Sequence, residues 1–321
     1  MKRFVSDAGV RGVALVIVLW AVTLISAALI GLAALLQRQL GQEVAGLQNS
    51  RALLVAESGI QMALHPALFP ADMDSASQQL SGLLQQGWQM ANGGPEVRFQ
   101  VRAEDFCGEE GRLNLNTLLR GDRNDSRRIL TNLFAGWGVN ATTSSAVIDA
   151  LLDWTDPDDL VTGTDESTED PGKVRNGLFQ KLDEVEQVRG WPELTEEIRK
   201  GPNPVDWRSK LTVFGSGRLA LLSADADVIE AWLDLSSGAA QNFVANRTGP
   251  DLIPGTQDDQ VNLGLLPGNS SAWTNRITTD RGDLWRVTST GYVGGVKRTL
   301  VALISRNPPL VRSRWVEENQ P

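Results

Sequence analysis

Between Asp149 and Gly172 the chain carries nine carboxylates and no lysine or arginine. They are Asp149, Asp153, Asp156, Asp158, Asp159, Asp165, Glu166, Glu169 and Asp170. Hard divalent cations such as Ca²⁺ take six to eight oxygens from carboxylates and carbonyls on a flexible loop. Asp156, Asp158, Asp159, Asp165, Glu166, Glu169 and Asp170 would supply the carboxylates, and Pro157, Gly163 and Pro171 suit a loop. So many unneutralised charges repel one another, and a bound cation would relieve that cost. The spacing is not that of an EF-hand, and the run also reads as a solvated acidic loop. A second, weaker cluster, Asp251, Asp258 and Asp259, surrounds the turn Pro254-Gly255-Thr256 and reads first as a plain surface turn.

Other chemistry is scarce. One cysteine, Cys107, excludes an intrachain disulfide and multi-thiolate metal sites, and one histidine, His65, excludes His-based metal centres. Cys107 follows Phe106 and is expected to be a buried small hydrophobe. His65 stands where a long helix should end. Lysine and arginine total 30 against 39 acids, a net charge of −9, which argues against nucleic acid as a partner. Without the nine clustered acids the charges balance, so one short segment carries the whole excess. The ten tryptophans are scattered and read as core rather than as a carbohydrate platform. No catalytic apparatus stands out, and the protein is not expected to be an enzyme.

These residues must be positioned by the rest of the chain. Val13–Leu36 are 24 uncharged residues, roughly 36 Å as a helix, enough to cross a hydrocarbon core of about 30 Å. Lys2, Arg3 and Arg11 precede the run against Asp7, so the N-terminus is expected in the cytoplasm and everything after Leu36 on the far side of a membrane crossed once. The run is too long for an ordinary signal peptide. Helix-compatible sequence continues to Leu64 with no proline before Pro66, and Leu40, Val44, Leu47 and Leu54 share a face. Residues 13–64 therefore read as one helix, half in the membrane (13–36) and half packed on a soluble domain.

Further along, 65–95 reads as a proline-bounded connection with one short helix. Glu96–Phe106 alternates like a strand, with Val97, Phe99, Val101 and Ala103 on one face. Gly111–Leu118 (GRLNLNTL) reads as a second strand or tight turn and is echoed by Gly217–Ala224 (GRLALLSA), each copy preceding a helix. Helices are expected at about 126–136 and 143–153. LDEVEQVRGW and PELTEEIRKG form a helix-hairpin-helix-like pattern flanked by acids, unsuited to DNA. Residues 236–284 read as loop, and Leu284–Val293 with Val296–Arg306 as a hairpin around Gly294-Gly295. The tail from Asn307 is expected to be poorly ordered.

The leader Arg11-Gly12 followed by the apolar Val13 resembles the class III leader of type IV pilins and type II secretion pseudopilins. The resemblance implies cleavage by a prepilin peptidase between Gly12 and Val13, with methylation of the new N-terminus. Most of that family has glutamate at the fifth mature position, where Ile17 stands here. Together with the chain length, this looks like the K-class minor pseudopilin (general secretion pathway protein K). The implied fold is α+β: a pilin-like long N-terminal helix packed on a small antiparallel sheet, with a large inserted α-helical domain. In residues, this means a leader at 1–12, the helix at 13–64 and a pilin-like α/β part at 65–118. An inserted helical domain with the acidic loop at 119–283, a hairpin completing the sheet at 284–306 and a flexible tail at 307–321 follow. The resemblance favours Ca²⁺ for the acidic loop, and in it the asparagines of the 111–118 turn cap the following helix. It implies I-class and J-class minor pseudopilins and other pseudopilins of the filament as partners, and a place at the pseudopilus tip. There the protein would help initiate assembly and the export of folded proteins across the outer membrane. Two alternatives stay open: a minor type IV pilin or adhesin, and a membrane-anchored periplasmic hydrolase using two carboxylates.

Overall fold

The structure, a computed structural model, describes residues 8–64, 88–89, 97–101, 106–155, 176–201, 204–250, 259–268, 273–280, 282–306 and 308–317. Helix α1 (Ala8–Ala63) runs unbroken for 56 residues, about 84 Å at the α-helical rise. Strands β1 (Trp88–Gln89), β2 (Val97–Gln100) and β3 (Phe106–Gly108) follow, then a 3₁₀ turn at Glu109–Gly111. The helical domain comprises β4 (Leu113–Asn114), α2 (Leu115–Arg120), α3 (Arg123–Gly136), α4 (Ala141–Thr155), α5 (Trp191–Lys200), β5 (Leu211–Thr212), β6 (Leu219–Ala220), α6 (Ala226–Leu233), α7 (Gln241–Arg247) and β7 (Ile277–Thr278). The chain closes with β8 (Leu284–Val293), β9 (Val296–Arg306) and β10 (Pro309–Glu317). Long helix, antiparallel sheet and further helices give the α+β class.

All pairings in the main sheet are antiparallel, in the order β1-β2-β8-β9-β10, with β3 pairing the lower half of β8. Val293 pairs with Val296, so Gly294 and Gly295 form a two-residue turn. Both take positive φ (55° and 84°), which glycine adopts without a Cβ clash. Strand β10 corrects the expectation of a disordered tail: Pro309–Glu317 pair with Thr299–Arg306 through an irregularity at Val311/Ser313. The half-buried Trp315 lies under the Arg286 guanidinium at 5.2 Å, and Arg314 pairs with Glu57 of α1 at 2.8 Å.

The face of α1 that meets the sheet mixes alanine and glycine with two larger aliphatics, Val55 and Ile60. Ala52, Val55, Ala56, Ile60 and Ala63 are buried in one core with Phe99, Val101, Trp285, Val287, Leu300, Ala302 and Ile304. A Cβ on Gly291 would lie 2.0 Å from the Ala52 carbonyl oxygen, and one on Gly59 would lie 2.1 Å from the Ser289 hydroxyl. Helix and sheet backbones therefore approach each other at Gly291, while at Gly59 the helix backbone is met by the side chains of Ser289, Val101 and Phe99. Leu40, Val44, Leu47 and Leu54, read as the packed face, are instead 61%, 51%, 62% and 69% exposed. The side that docks is the one carrying Ala52, Val55, Ala56, Gly59, Ile60 and Ala63.

A separate core fills the helical domain. Among the described residues seven tryptophans are buried, and six of these seven lie in this core. Trp191 meets Trp207 edge-on at 5.1 Å, and Trp154 stacks on Phe179 at 5.6 Å. Leu113, Leu115 and Leu118 belong to this core, so the helical domain begins before residue 119, inside the segment read with the sheet. The polar stretch 236–284 also departs from a plain loop, since it contains α7 and β7. In the helix-hairpin-helix-like segment, Gly190 (φ 80°) turns a 3₁₀ helix at Leu182–Gln187 into α5.

The echoed octapeptides pack on each other. A Cβ on Gly111, the first position of one copy, would lie 2.6 Å from Ser223, the seventh of the other; one on Gly217 would lie 2.3 Å from Thr117, the reciprocal pair. The third and fourth positions of each copy form the two-residue strands β4 and β6, each paired in parallel with another segment. Reciprocal contacts of this kind are what a local two-fold relation produces. Asn114 caps α2 by accepting the Thr117 N–H at 3.1 Å; in the second copy the Ala220 carbonyl accepts the Ser223 N–H at 3.0 Å. Backbone thus replaces the missing asparagine. Asn116 ties its turn to Phe179 and Val213, donating to both carbonyls and accepting the Phe179 N–H.

The two cores meet at a neck where the chain leaves the sheet at Gly108 and re-enters at Leu284. Glu109 there is fully buried. Arg286 of β8 grips its carboxylate with two bonds, 2.8 and 2.7 Å; Arg112 adds one at 3.1 Å, and the Thr212 hydroxyl of β5 another. Glu110 accepts the backbone N–H groups of Ser216 (2.9 Å) and Asp283 (3.0 Å). Burial, the largest single influence on Glu109, opposes ionisation, but the charges and hydrogen bonds of its partners outweigh it together, and the carboxyl titrates below its ordinary value.

Two expectations follow. Gly291→Ala should destabilise the helix–sheet unit by about 1–3 kcal/mol, the usual range for overpacking; an unchanged thermal transition by circular dichroism would refute the close approach. Glu109→Gln should cost about 3–5 kcal/mol, because it leaves buried arginine charge uncompensated. Since the folded pKa is depressed, the ionised pair's stabilisation is complete above the ordinary glutamate value of about 4.3 and is lost as pH falls through the lower folded value. Denaturant titrations at several pH values should show that acid-linked loss in the native chain and its reduction in Glu109→Gln.

Candidate functional site

Helix α1 is long and apolar enough to cross a membrane, and the residues of its apolar segment are uncovered by the rest of the chain. The backbone of Gly12 and Val13 lies inside α1. Beyond the apolar segment the same helix has two unlike faces. One, running from Ala52 to Ala63, is sealed against the sheet. The other carries the exposed Leu40, Val44, Leu47 and Leu54, spaced four, three and seven residues apart. At 3.6 residues per turn these four stay within one narrow stripe, the pattern of a helix that buries its seam against another helix. The stripe is continuous in direction with the uncovered apolar segment before it.

Of the acidic candidates, Asp156, Asp158, Asp159, Asp165, Glu166, Glu169 and Asp170 lie outside the described residues, as do Asp251 and Asp258. Asp259 is described, and it stands in the segment 259–262 that leads to a short 3₁₀ turn at Leu263–Leu265. The two acids at the start of the run, Asp149 and Asp153, sit one turn apart on α4. They face Arg127 and Arg123, one turn apart on α3; Arg127 bonds Asp149, and Arg123 approaches Asp153 at 3.8 Å. Helix packing therefore neutralises these two, which sequence counting had pooled with the rest. The seven carboxylates after Thr155, the ones named as candidate ligands, fall outside the described residues. Among the described residues no cluster of three or more potential metal ligands occurs.

The helix-hairpin-helix-like segment is anionic where a nucleic-acid hairpin is basic. Of its three cations, Arg199 and Lys200 are both engaged by Glu196, at 2.7 and 3.0 Å. Their hydrogen bonds, Arg199 first and Lys200 second, bring the Glu196 carboxyl down to about 2. His65 lies outside the described residues. For Cys107 the backbone is placed opposite Arg286 across β3 and β8, while its expected burial falls outside the described side chains. Sequence reasoning did not single out Glu109, Glu110 and Arg286. The adjacent acids immediately before a Gly-Arg-Leu turn were the available signal.

Comparison with known proteins agrees with this geometry. Residues 111–200, from the first echoed glycine to the end of α5, match the family model of type II secretion system (T2SS) protein K. No curated protein sequence matches the chain significantly. Among solved structures, the chain is similar to one in the crystal structure of the GspK-GspI-GspJ complex from the enterotoxigenic Escherichia coli type 2 secretion system. The TM-score is 0.59 at 16% identity, covering 87% of this chain and 100% of that one. Sequence over 111–200 and fold over most of the chain thus point to one family, the K-class minor pseudopilins of type II secretion, as the one this chain resembles.

Proposed function

We propose that the chain is a K-class minor pseudopilin that works by assembly rather than catalysis, at the tip of a type II secretion pseudopilus. The observation that carries this reading is the two-faced helix α1: one side is closed by its own sheet, and the other presents a large aliphatic stripe that is exposed among the described residues. The apolar segment anchors the helix in the inner membrane, with the N-terminus cytoplasmic and the folded domains periplasmic. A prepilin peptidase cuts between Gly12 and Val13 and the new N-terminus is methylated. The stripe then receives the helices of I-class and J-class pseudopilins, the kind of assembly named for the similar structure. Ile17 lacks the carboxylate that would pair with a neighbour's N-terminal amine, and the helical domain caps the filament, so this subunit starts assembly and supports export of folded proteins. The seven loop carboxylates hold Ca²⁺ and so offset their mutual repulsion.

The full chain, purified in detergent, should begin at Val13 by intact mass and co-elute with its I- and J-class counterparts. Val44→Lys with Leu47→Lys should weaken that complex tenfold or more, since each buried aliphatic is worth about 1.5–3 kcal/mol. Failure of the native chain to co-elute would refute the reading. Calcium is tested separately. For a site of micromolar dissociation constant, millimolar Ca²⁺ should add about 4 kcal/mol of stability, a rise of several degrees in melting temperature. Replacing Asp156, Asp158, Asp165 and Glu166 by Asn or Gln should remove that rise; a native chain indifferent to chelator would show a merely solvated loop.

A further inference from the structure

The aliphatic stripe of α1 has one interruption. Leu40, Val44, Leu47 and Leu54 leave a vacant place in their four-three spacing, and Arg51 fills it. Arg51 is exposed, and among the described residues nothing accepts a hydrogen bond from it or pairs with its charge. Its neighbours one turn away are Leu47, Gln48, Leu54 and Val55, so the helix supplies no acid at that level. By contrast, several other arginines on the described surface, among them Arg127, Arg128, Arg199, Arg208 and Arg314, have a carboxylate partner. Arg51 lies 15 residues beyond Leu36, about 22 Å along the helix from the end of the apolar run.

We infer that the stripe selects a parallel helix of a different chain, aliphatic along its own seam and bearing a glutamate or aspartate level with Arg51. This deepens, and rests on, the assembly reading given above. A single polar residue in an otherwise apolar seam fixes register and choice of partner, because only one alignment satisfies it. Chains anchored by their N-terminal segments run parallel, and in a parallel pair of this same chain Arg51 would face Arg51. Both charges would then be desolvated without compensation, so a second copy is rejected. An opposing carboxylate turns the same residue into a charge-assisted, bidentate bond that holds the seam at one level.

The test uses the full chain in detergent, with the I- and J-class pseudopilins of the same secretion system as probes. Arg51→Glu should weaken binding of one probe roughly tenfold or more, and a single Glu→Lys or Asp→Lys change on that probe's helix should restore it. Arg51→Leu should self-associate by sedimentation where the native chain does not. Binding of both probes unchanged by Arg51→Glu, no restoring substitution, or self-association of the native chain through this stripe would each overturn the inference. If the native chain captures neither probe, the assembly reading itself fails. If Val44→Lys with Leu47→Lys abolishes capture while Arg51→Glu leaves it intact, only the role of Arg51 fails.

Discussion

A fully buried carboxylate at the neck between two cores must keep its charge or find a proton, and Glu109 keeps its charge. Removing an ion from water is costly enough that the surrounding structure has to be arranged around it. Arg286 reaches it from the sheet, Arg112 from the following turn, and the Thr212 hydroxyl from the helical domain. Glu110 engages backbone on both sides of the same neck. The placement of one core against the other is thereby specified by directional bonds rather than by a shared greasy interface. Apolar contact alone would tolerate sliding; a forked arginine–carboxylate pair does not.

Helix α1 solves a different problem, that of serving two surfaces at once. Toward the sheet it offers Ala52, Ala56 and Gly59, so backbones approach closely and the dry contact relies on fit. Away from the sheet it offers leucines and a valine, whose value is realised only when something covers them. Partition of small and large residues between the faces lets one helix belong to its own domain and to an assembly. The smooth run from the apolar segment into the stripe keeps both halves in one rigid rod.

Alternation of Val97, Phe99 and Val101 and the Gly294-Gly295 turn made the strands readable, because a half-buried sheet has a period of two and a tight hairpin needs positive φ. The face of α1 was misread for an equally physical reason. Large aliphatic side chains are taken as the buried ones, yet where Gly291 and Ser289 meet the helix the residues facing them are Ala52, Ala56 and Gly59. Strand β10 was missed since Arg312 and Arg314 alternate with Val311, Ser313 and Trp315, which resembles a polar tail until pairing with β9 supplies the partner. The acidic run was legible as a concentration of charge, but the arginines that face its first two members, Asp149 and Asp153, come from α3, and only the packing of that helix reveals them. Glu109 could not be weighed from sequence, because its principal partner lies 177 residues away.

Chain exit and re-entry at the neck sit on neighbouring strands, where Gly108 pairs with Trp285. Everything between them hangs from the sheet as a side branch whose ends are already side by side. Pairing within the sheet does not depend on what the branch contains, only on the handful of groups that clasp its base. Such an arrangement lets the branch drift, lengthen or be remodelled in evolution while the trunk stays intact. Shared architecture across 87% of the chain at 16% identity is the degree of divergence that this kind of modular attachment permits.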